Sequence, residues 1–542
     1  MELVSHRTTW LRGTPLLSAI TSVCASAFLL FGYDNGVMSG VVISSYWLQE
    51  MGHPSTIMVS TITALYDVGA VFGAIAAAFT AEKLGRKRSL IFGSIIVVIG
   101  SILMGTSVER VQMMVGRIAT GFGIGYLTSA APVYQSEVCL PSQRGWHMCS
   151  QLSMMLFGLM IAYWMNYGFY FHPGTLQWRF PLLFQIIFAV YMIIVGVFLP
   201  DTPRWLMWHR PSTDEGLAVL SRLRNRPGSD PAVVQEQDEI LEAIRIESQE
   251  EGTWMDLFRD GGTRADKRFY LALGIQFMQQ MAGINIITYY APTLFTESLG
   301  MTQERALLVG SFLQVWYIFA SFLTWFMIDV VGRRRLLISM ALGMCAIMIF
   351  EAVCVAIDNR SSNIAAVALV FLFEGCFTWG WMACVWIYPP EILPLKIRAK
   401  GAALAAAADF VGNFLVVEIT PPALQNIGYK TYIIFAVFNI VNAAIVFLFY
   451  PETMSLPLES VDLLFIQKNE SMDETSSKRK SFYQHLQWWV VPKAWELVKE
   501  ERTTGTARLR AEEQRSNEDS PVGNINSSKG DEGNAVQADH IG

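Results

Sequence analysis

Apolar runs of about 20 residues recur roughly twelve times along this chain, and no other feature of it restricts the fold so severely. In hydrocarbon a backbone must satisfy its own N–H and C=O groups, so runs of this length are helices crossing a bilayer. The first half places them at 16–38, 57–81, 89–106, 111–135, 147–169 and 180–199, and the second at 269–295, 306–330, 336–357, 363–388, 399–420 and 429–450. Composition agrees: 52% of the 542 residues are hydrophobic, 16% are charged, and the mean hydropathy is +0.35. The fold class is therefore all-α, a membrane protein of twelve transmembrane helices with the lipid bilayer as its solvent. A net charge of −6 with basic residues only in short clusters argues against nucleic acid. The seven cysteines form no CxxC pair, so neither a metal nor a disulfide framework is expected, and no cofactor. No nucleophile–base pair is evident, so an enzyme is the least favoured class.

Lys and Arg fall unevenly between the loops. Those after even-numbered spans carry Lys83, Arg86, Lys87, Arg88, Arg144, Arg333, Arg334, Arg335, Lys396, Arg398 and Lys400. The alternate loops hold little beyond Arg110, Arg179, Arg305, Arg360 and Lys430. The positive-inside rule puts the even loops and both termini in the cytoplasm. The expected organisation is a cytoplasmic N-terminus (1–15), a six-helix bundle (16–199), a cytoplasmic linker with short helices (200–268), a second six-helix bundle (269–450), and a cytoplasmic, largely disordered tail (451–542). Linker helices are expected near 213–225 and 233–248. Within the tail, Phe482 to Val491, with Trp488-Trp489 and the preceding Lys478-Arg479-Lys480, has the composition of a membrane-surface or partner-binding segment.

The halves echo each other at intervals of roughly 250 residues. Gly85-Arg86-Lys87-Arg88 matches Gly332-Arg333-Arg334-Arg335, Glu137 with Arg144 matches Glu391 with Arg398, and Pro200-Asp201-Thr202 matches Pro451-Glu452-Thr453. Parallel repeats of six spans are a transporter plan, with substrate between the halves near midplane. The matched charges, Arg86, Glu137, Arg144, Arg333, Glu391 and Arg398, are expected to form a cytoplasmic gate, the basic residues bridging to Glu137, Glu391 or the short 200–268 helices and so holding the inner ends of the two halves together, the alternative being that they only fix topology.

Within the seventh run lies Gln279-Gln280-Met281-Ala282-Gly283-Ile284-Asn285, followed by Tyr289-Tyr290-Ala291-Pro292. Three carboxamides supply donors and acceptors without charge, which suits a neutral polyhydroxylated solute, while Gly283 and Pro292 weaken the helix around them. Asp34 in the first run and Arg117 in the fourth each cost on the order of 2.5–3.5 kcal/mol at mid-helix, so each needs an interior partner. Gly121-x-Gly123-x-Gly125 reads as a face for close helix packing, since no strand precedes it as a nucleotide loop requires. The sequon Asn359-Arg360-Ser361 falls in an outer loop and makes Asn359 a glycosylation candidate, while those at Asn469 and Asn526 fall in the tail.

Taken in order, Phe31-Gly32-Tyr33-Asp34, Gly85-Arg86-Lys87, Gly116-Arg117, Pro132-x-Tyr134-x-x-Glu137 with Arg144-Gly145, and Pro203-Arg204-Trp205-Leu206 form a recognisable series. It continues through Gln279 to Asn285, Gly332-Arg333-Arg334, Trp386 with Glu391 and Arg398, and Pro451-Glu452-Thr453. The chain resembles the sugar porter family of the major facilitator superfamily from Phe31 to about Asp462, most closely its fungal members. The resemblance implies two six-helix bundles in the major facilitator fold, alternating access, and plasma-membrane transport of a sugar-like solute with protons as the coupling ion. It implies substrate contacts from Gln279, Gln280, Asn285, Trp386 and Asn413, and proton coupling through Asp34 with Arg117, the alternative being a structural ion pair in a uniporter, since facilitators of the family can carry the same Asp.

Four positions depart from the family. A fifth-span Gln is replaced by Leu152, with Gln151 one residue earlier, about 100° round the helix. An eighth-span Asn becomes Tyr317, the eleventh-span Asn-Trp becomes Asp409-Phe410, and the final motif runs on as Met454-Ser455-Leu456-Pro457. The first three alter the presumed pocket wall, so a carrier of a non-sugar metabolite on the same fold is the main alternative, and a non-transporting nutrient sensor with a signalling tail the other.

Overall fold

A computed structural model of the chain describes residues 11–140, 144–210, 212–249, 254–259, 264–454 and 465. Among these, regular structure is helical throughout. Ten helices are long and apolar enough to cross a membrane. Two further segments complete twelve. The fourth, Arg110–Val138, has the length but is diluted by glycine, threonine and tyrosine around Arg117. The seventh is split into Ala265–Met281 and Ile284–Glu297. The two spans that fall short on apolar length are thus those carrying the fourth-span arginine and the carboxamides. In order, the others are Thr14–Val41, Thr56–Leu84, Arg86–Gly105, Arg144–Tyr170, the pair Leu176–Phe184 and Ile186–Phe198, Gln303–Val331, Arg333–Ile357, a tenth from Arg360 to Ile392, Arg398–Ile427 and Lys430–Phe449.

Glycine decides how closely several of these helices approach. A Cβ on Gly121 would stand 1.9 Å from the Tyr66 carbonyl oxygen, and one on Gly125 2.1 Å from that of Ala70, both on the second span. Gly123, between them, faces the third span, with the Gly93 carbonyl 2.8 Å from its would-be Cβ. The expected packing face is therefore two faces, one per neighbour. The first and fifth spans meet in the same way, at Gly32 against Met155 and Gly158 against Leu29.

The repeat is preserved atom by atom at the basic end. Gly85 and Gly332 both adopt positive φ (+88° and +95°) between consecutive spans. The Asp201 carboxylate accepts from the backbone N–H of Arg86 (2.9 Å), and that of Glu452 from the N–H of Arg333 (2.9 Å) and Arg334 (3.1 Å). An acidic side chain thus caps the positive end of the third and of the ninth helix. The Tyr134 hydroxyl donates to the Pro200 carbonyl as the Tyr388 hydroxyl does to that of Pro451 (2.8 Å).

Between the sixth and seventh spans lie helices Pro203–His209, Asp214–Arg224 and Pro231–Gln249, and a 3-10 turn, Trp254–Phe258. The last two helices fall where expected; the first and the turn were not anticipated. That turn touches both halves: Trp254 packs on Phe79 of the second span (4.7 Å between ring centroids), while Asp256 pairs with Lys396 (3.5 Å). The readings of the tail beyond Met454, including its sequons and the Trp488-Trp489 segment, lie outside the described residues apart from Phe465, whose ring sits 4.7 Å from the Arg268 guanidinium.

Candidate functional site

Gly283 (φ +95°) breaks the seventh span, as its sequence suggests, and turns the chain so that side chains on both sides of the break reach the eleventh span. The Gln280 amide donates to Asp409 Oδ1 (2.6 Å). Asn285 donates both to the Gln280 carbonyl oxygen and to Asn413 Oδ1 (2.5 Å for the latter). The Asn413 amide then donates across to the second span, to Asp67 Oδ1 (2.8 Å). Beside this row, the Tyr289 hydroxyl donates to Asn35 Oδ1 of the first span (2.9 Å). The result is one hydrogen-bonded chain, Asp409–Gln280–Asn285–Asn413–Asp67, running from one half of the molecule to the other, all of it buried. Gln279 turns aside to donate to the Trp381 carbonyl (3.1 Å), leaving its own oxygen unpaired, and Trp386 is half-buried.

Arg117 and Asp34 are brought together as expected. Nη1 lies 3.0 Å from Asp34 Oδ2, and both side chains are fully buried. Nη2 donates to the Thr63 carbonyl (3.1 Å), one turn before Asp67, and the guanidinium carbon sits 4.7 Å from the centre of the Tyr66 ring. One oxygen of Asp34, one of Asp67 and Nε of Arg117 have no hydrogen-bond partner. Buried at this depth, such groups call for water, a solute or a proton.

Asp67 was missed by the sequence reading, although a carboxylate in the run 57–81 satisfies the same rule that singled out Asp34. Asn35 was also missed; it follows Asp34 and nothing local distinguishes it. Asn413 and Asp409 both belong to the eleventh span and join this row of hydrogen bonds. Tyr317 is buried, and the amide atoms of the displaced Gln151 have no partner.

Two of the charge pairs expected at the gate are formed. Arg86 pairs with Glu137 (2.8 Å), which also accepts from the Thr202 hydroxyl (2.6 Å). In the second half Arg333 pairs with Glu391 (3.4 Å), which accepts from Thr453 (2.6 Å). Both of these pairs close within their own half, where they clamp helix ends inside a bundle. In each half the arginine that makes the pair opens a helix whose first N–H groups are held by Asp201 or Glu452. Arg398 donates from Nε to the Leu393 carbonyl (3.1 Å). Arg144 begins the fifth span. Direct contacts between halves include Thr61 Oγ1 to Glu418 (2.7 Å), Tyr163 to the Thr288 carbonyl (2.9 Å) and Gln303 to the Ile43 carbonyl (2.7 Å). Asn359 is exposed and caps the tenth span, its Oδ1 accepting from the Ser362 N–H (2.8 Å).

Comparison with known proteins bears on this arrangement. A family model described as "Sugar (and other) transporter" matches residues 19–465. The MFS-type transporter oryC of Aspergillus oryzae is 38% identical over 453 residues, covering 82% of this chain and 84% of that protein. The sugar transporter STL1 of Saccharomyces cerevisiae is 30% identical over 483 residues, covering 86% and 85%. Among solved structures, the proton:xylose symporter XylE bound to 6-bromo-6-deoxy-D-glucose superposes with a TM-score of 0.70 at 24% identity, over 83% of this chain and 99% of that one. At that identity the likeness establishes the fold, twelve helices in the major facilitator arrangement.

Proposed function

The chain belongs to the sugar (and other) transporter family, and from that premise we propose that it carries a sugar-like, polyhydroxylated solute across the membrane by alternating access, in symport with protons. The observation that carries this reading is the uncharged row Gln280–Asn285–Asn413. These amides hydrogen-bond to one another, and hydroxyl groups, which both donate and accept, can replace such bonds. An apolar solute leaves them unpaired. Gln279 adds an unpaired acceptor, and Trp386 an apolar face for the C–H side of a sugar ring.

The moving units in this reading are the bundles 16–199 and 269–450, linked through 200–268, with 1–15 and 451–542 on the cytoplasmic side of the plasma membrane. The Arg86–Glu137 and Arg333–Glu391 pairs, with Arg398, keep each inner end rigid while the bundles rock. Asn359, on the outer side, is available for glycosylation.

Asp34 carries the coupling proton: protonated, it releases Arg117; ionised, it holds it. The test is uptake by purified protein in vesicles, with D-glucose, D-xylose and quinate offered under a clamped proton gradient. The expected result is saturable, gradient-driven accumulation of a polyhydroxylated solute, with Asp34→Asn losing accumulation and keeping exchange. Equal loss of both removes Asp34 from the coupling step. A second reading, a carrier of a polyhydroxylated acid or other non-sugar metabolite, is favoured by Asp409 and Tyr317 where the family has amides, and the same panel decides it.

A further inference from the structure

Asp67 has two further buried carboxyl groups near it, Asp34 and Asp409, and Arg117 is the one cation recorded beside Asp67 among the described residues. Three carboxyl groups served by a single cation cannot all stay ionised at this depth, because each uncompensated charge costs several kcal/mol. Arg117 is committed to Asp34 through Nη1 and to the Thr63 carbonyl through Nη2. Asp67 receives only the uncharged amide of Asn413, and its other oxygen has no partner. An acid held by one neutral donor, with a bare second oxygen and two like charges near it, is placed to be neutral.

The groups facing Asp67 from every neighbouring element sharpen the point. The first span presents Asp34, the fourth Arg117, the seventh Tyr289 and Tyr290, and the eleventh Asp409 and Glu418; the second span adds Tyr66. The third span's Arg86, Lys87 and Arg88 lie at its far end. The single cation therefore belongs to the same half as Asp67, and carboxyl groups are what the other half brings to it.

We propose that Asp67 is a second proton-binding site, distinct from Asp34, whose proton is held while the eleventh span packs on the second and is lost when they part. Packing brings Asp409 toward Asp67, so a proton on Asp67 removes a like-charge repulsion while Oδ1 goes on accepting from the Asn413 amide. Separation admits water and favours the carboxylate. The coupling half of this inference rests on alternating access; the proton-binding half does not.

Two measurements on the purified full chain test it, and neither needs a transported solute. In infrared difference spectra between alkaline and acid pH, a carboxyl C=O band is expected that Asp67→Asn abolishes, Asp34→Asn leaves in place and Asp67→Glu shifts. A spectrum unchanged by Asp67→Asn or by Asp67→Glu overturns the site. For the coupling, the hydrogen-bonded pair Thr61 and Glu418 is replaced by cysteines carrying spin labels, whose separation reports packing of the second span on the eleventh. The short-separation population is expected to rise severalfold on acidification and to become independent of pH when Asp67→Asn is added. A pH response that survives Asp67→Asn overturns the coupling. Absence of uptake in vesicles with an intact Asp67 band sinks the transport reading alone.

Discussion

Replacing Gly121 by alanine tests whether the close approach of the second and fourth spans sets the geometry of the buried charges. The new Cβ stands 1.9 Å from the Tyr66 carbonyl oxygen, against an ordinary contact of 3.4 Å or more. Its obstacle is backbone, which cannot rotate away, so the two helices must separate locally by about 1.5 Å. Gly121 lies one turn after Arg117, and Tyr66 lies between Thr63 and Asp67. The Arg117–Thr63 bond, now 3.1 Å, is therefore carried beyond hydrogen-bonding distance. Overpacking costs about 1–3 kcal/mol, and loss of a hydrogen bond from a charged group about 1.5–3 kcal/mol. The combined destabilisation is on the order of 3 kcal/mol, since the two are not independent. The assay is unfolding of the detergent-purified protein, with gradient-driven accumulation and exchange measured in parallel. Accumulation is expected to fall further than exchange. Gly168→Ala is the control: its Cβ meets nothing within 4 Å, so stability holds or improves by up to ~1 kcal/mol. A Gly121→Ala protein as stable as the native one, with Arg117-dependent accumulation intact, refutes the reasoning.

Three further outcomes follow from the geometry. Arg86→Ala destabilises by about 1.5–3 kcal/mol by stripping Glu137 of a charged donor, and the Arg86→Ala/Glu137→Ala double variant loses less than the sum of its singles; strict additivity in that cycle denies the pairing. Gly283→Ala loses more than ~1 kcal/mol, because φ is +95° and the Cβ falls 2.8 Å from Phe435 Cδ1, and solute binding weakens as the break straightens; unaltered binding and stability argue against a required break. Burial raises the Asp201 carboxyl above its usual range, opposed by the backbone N–H groups of Lys87, Arg86 and Thr202. Its contribution to stability is thus full below the ordinary carboxylate range and fades as pH rises through the raised value. Asp201→Asn retains the acceptor and should flatten that part of the stability curve; an unchanged slope assigns the dependence to another group.

Spans, repeat and basic clusters were legible because length, hydropathy and charge asymmetry are properties of local sequence. The fourth and seventh spans were legible too, though by composition they are the weakest, because their neighbours fix the count. The partners of the conspicuous polar residues were less accessible. Nothing near Glu137 in the sequence says that Arg86 meets it inside the bundle; that pairing, like the Asp201 cap beside it, appears only in three dimensions. Asp67 shows the opposite failure, a residue in plain view under a rule already applied to Asp34. The side of Gly121-x-Gly123-x-Gly125 that meets each neighbour needed the helix angle and the positions of both neighbouring spans.

The clamp formed by Arg86, Glu137, Thr202 and Asp201 has a twin in Arg333, Glu391, Thr453 and Glu452. Any lesion made in one therefore comes with its own internal replicate. Where matching lesions have unequal consequences for transport, the difference cannot come from the clamp's chemistry, which the two share. It measures how unevenly the two bundles divide the labour of the cycle.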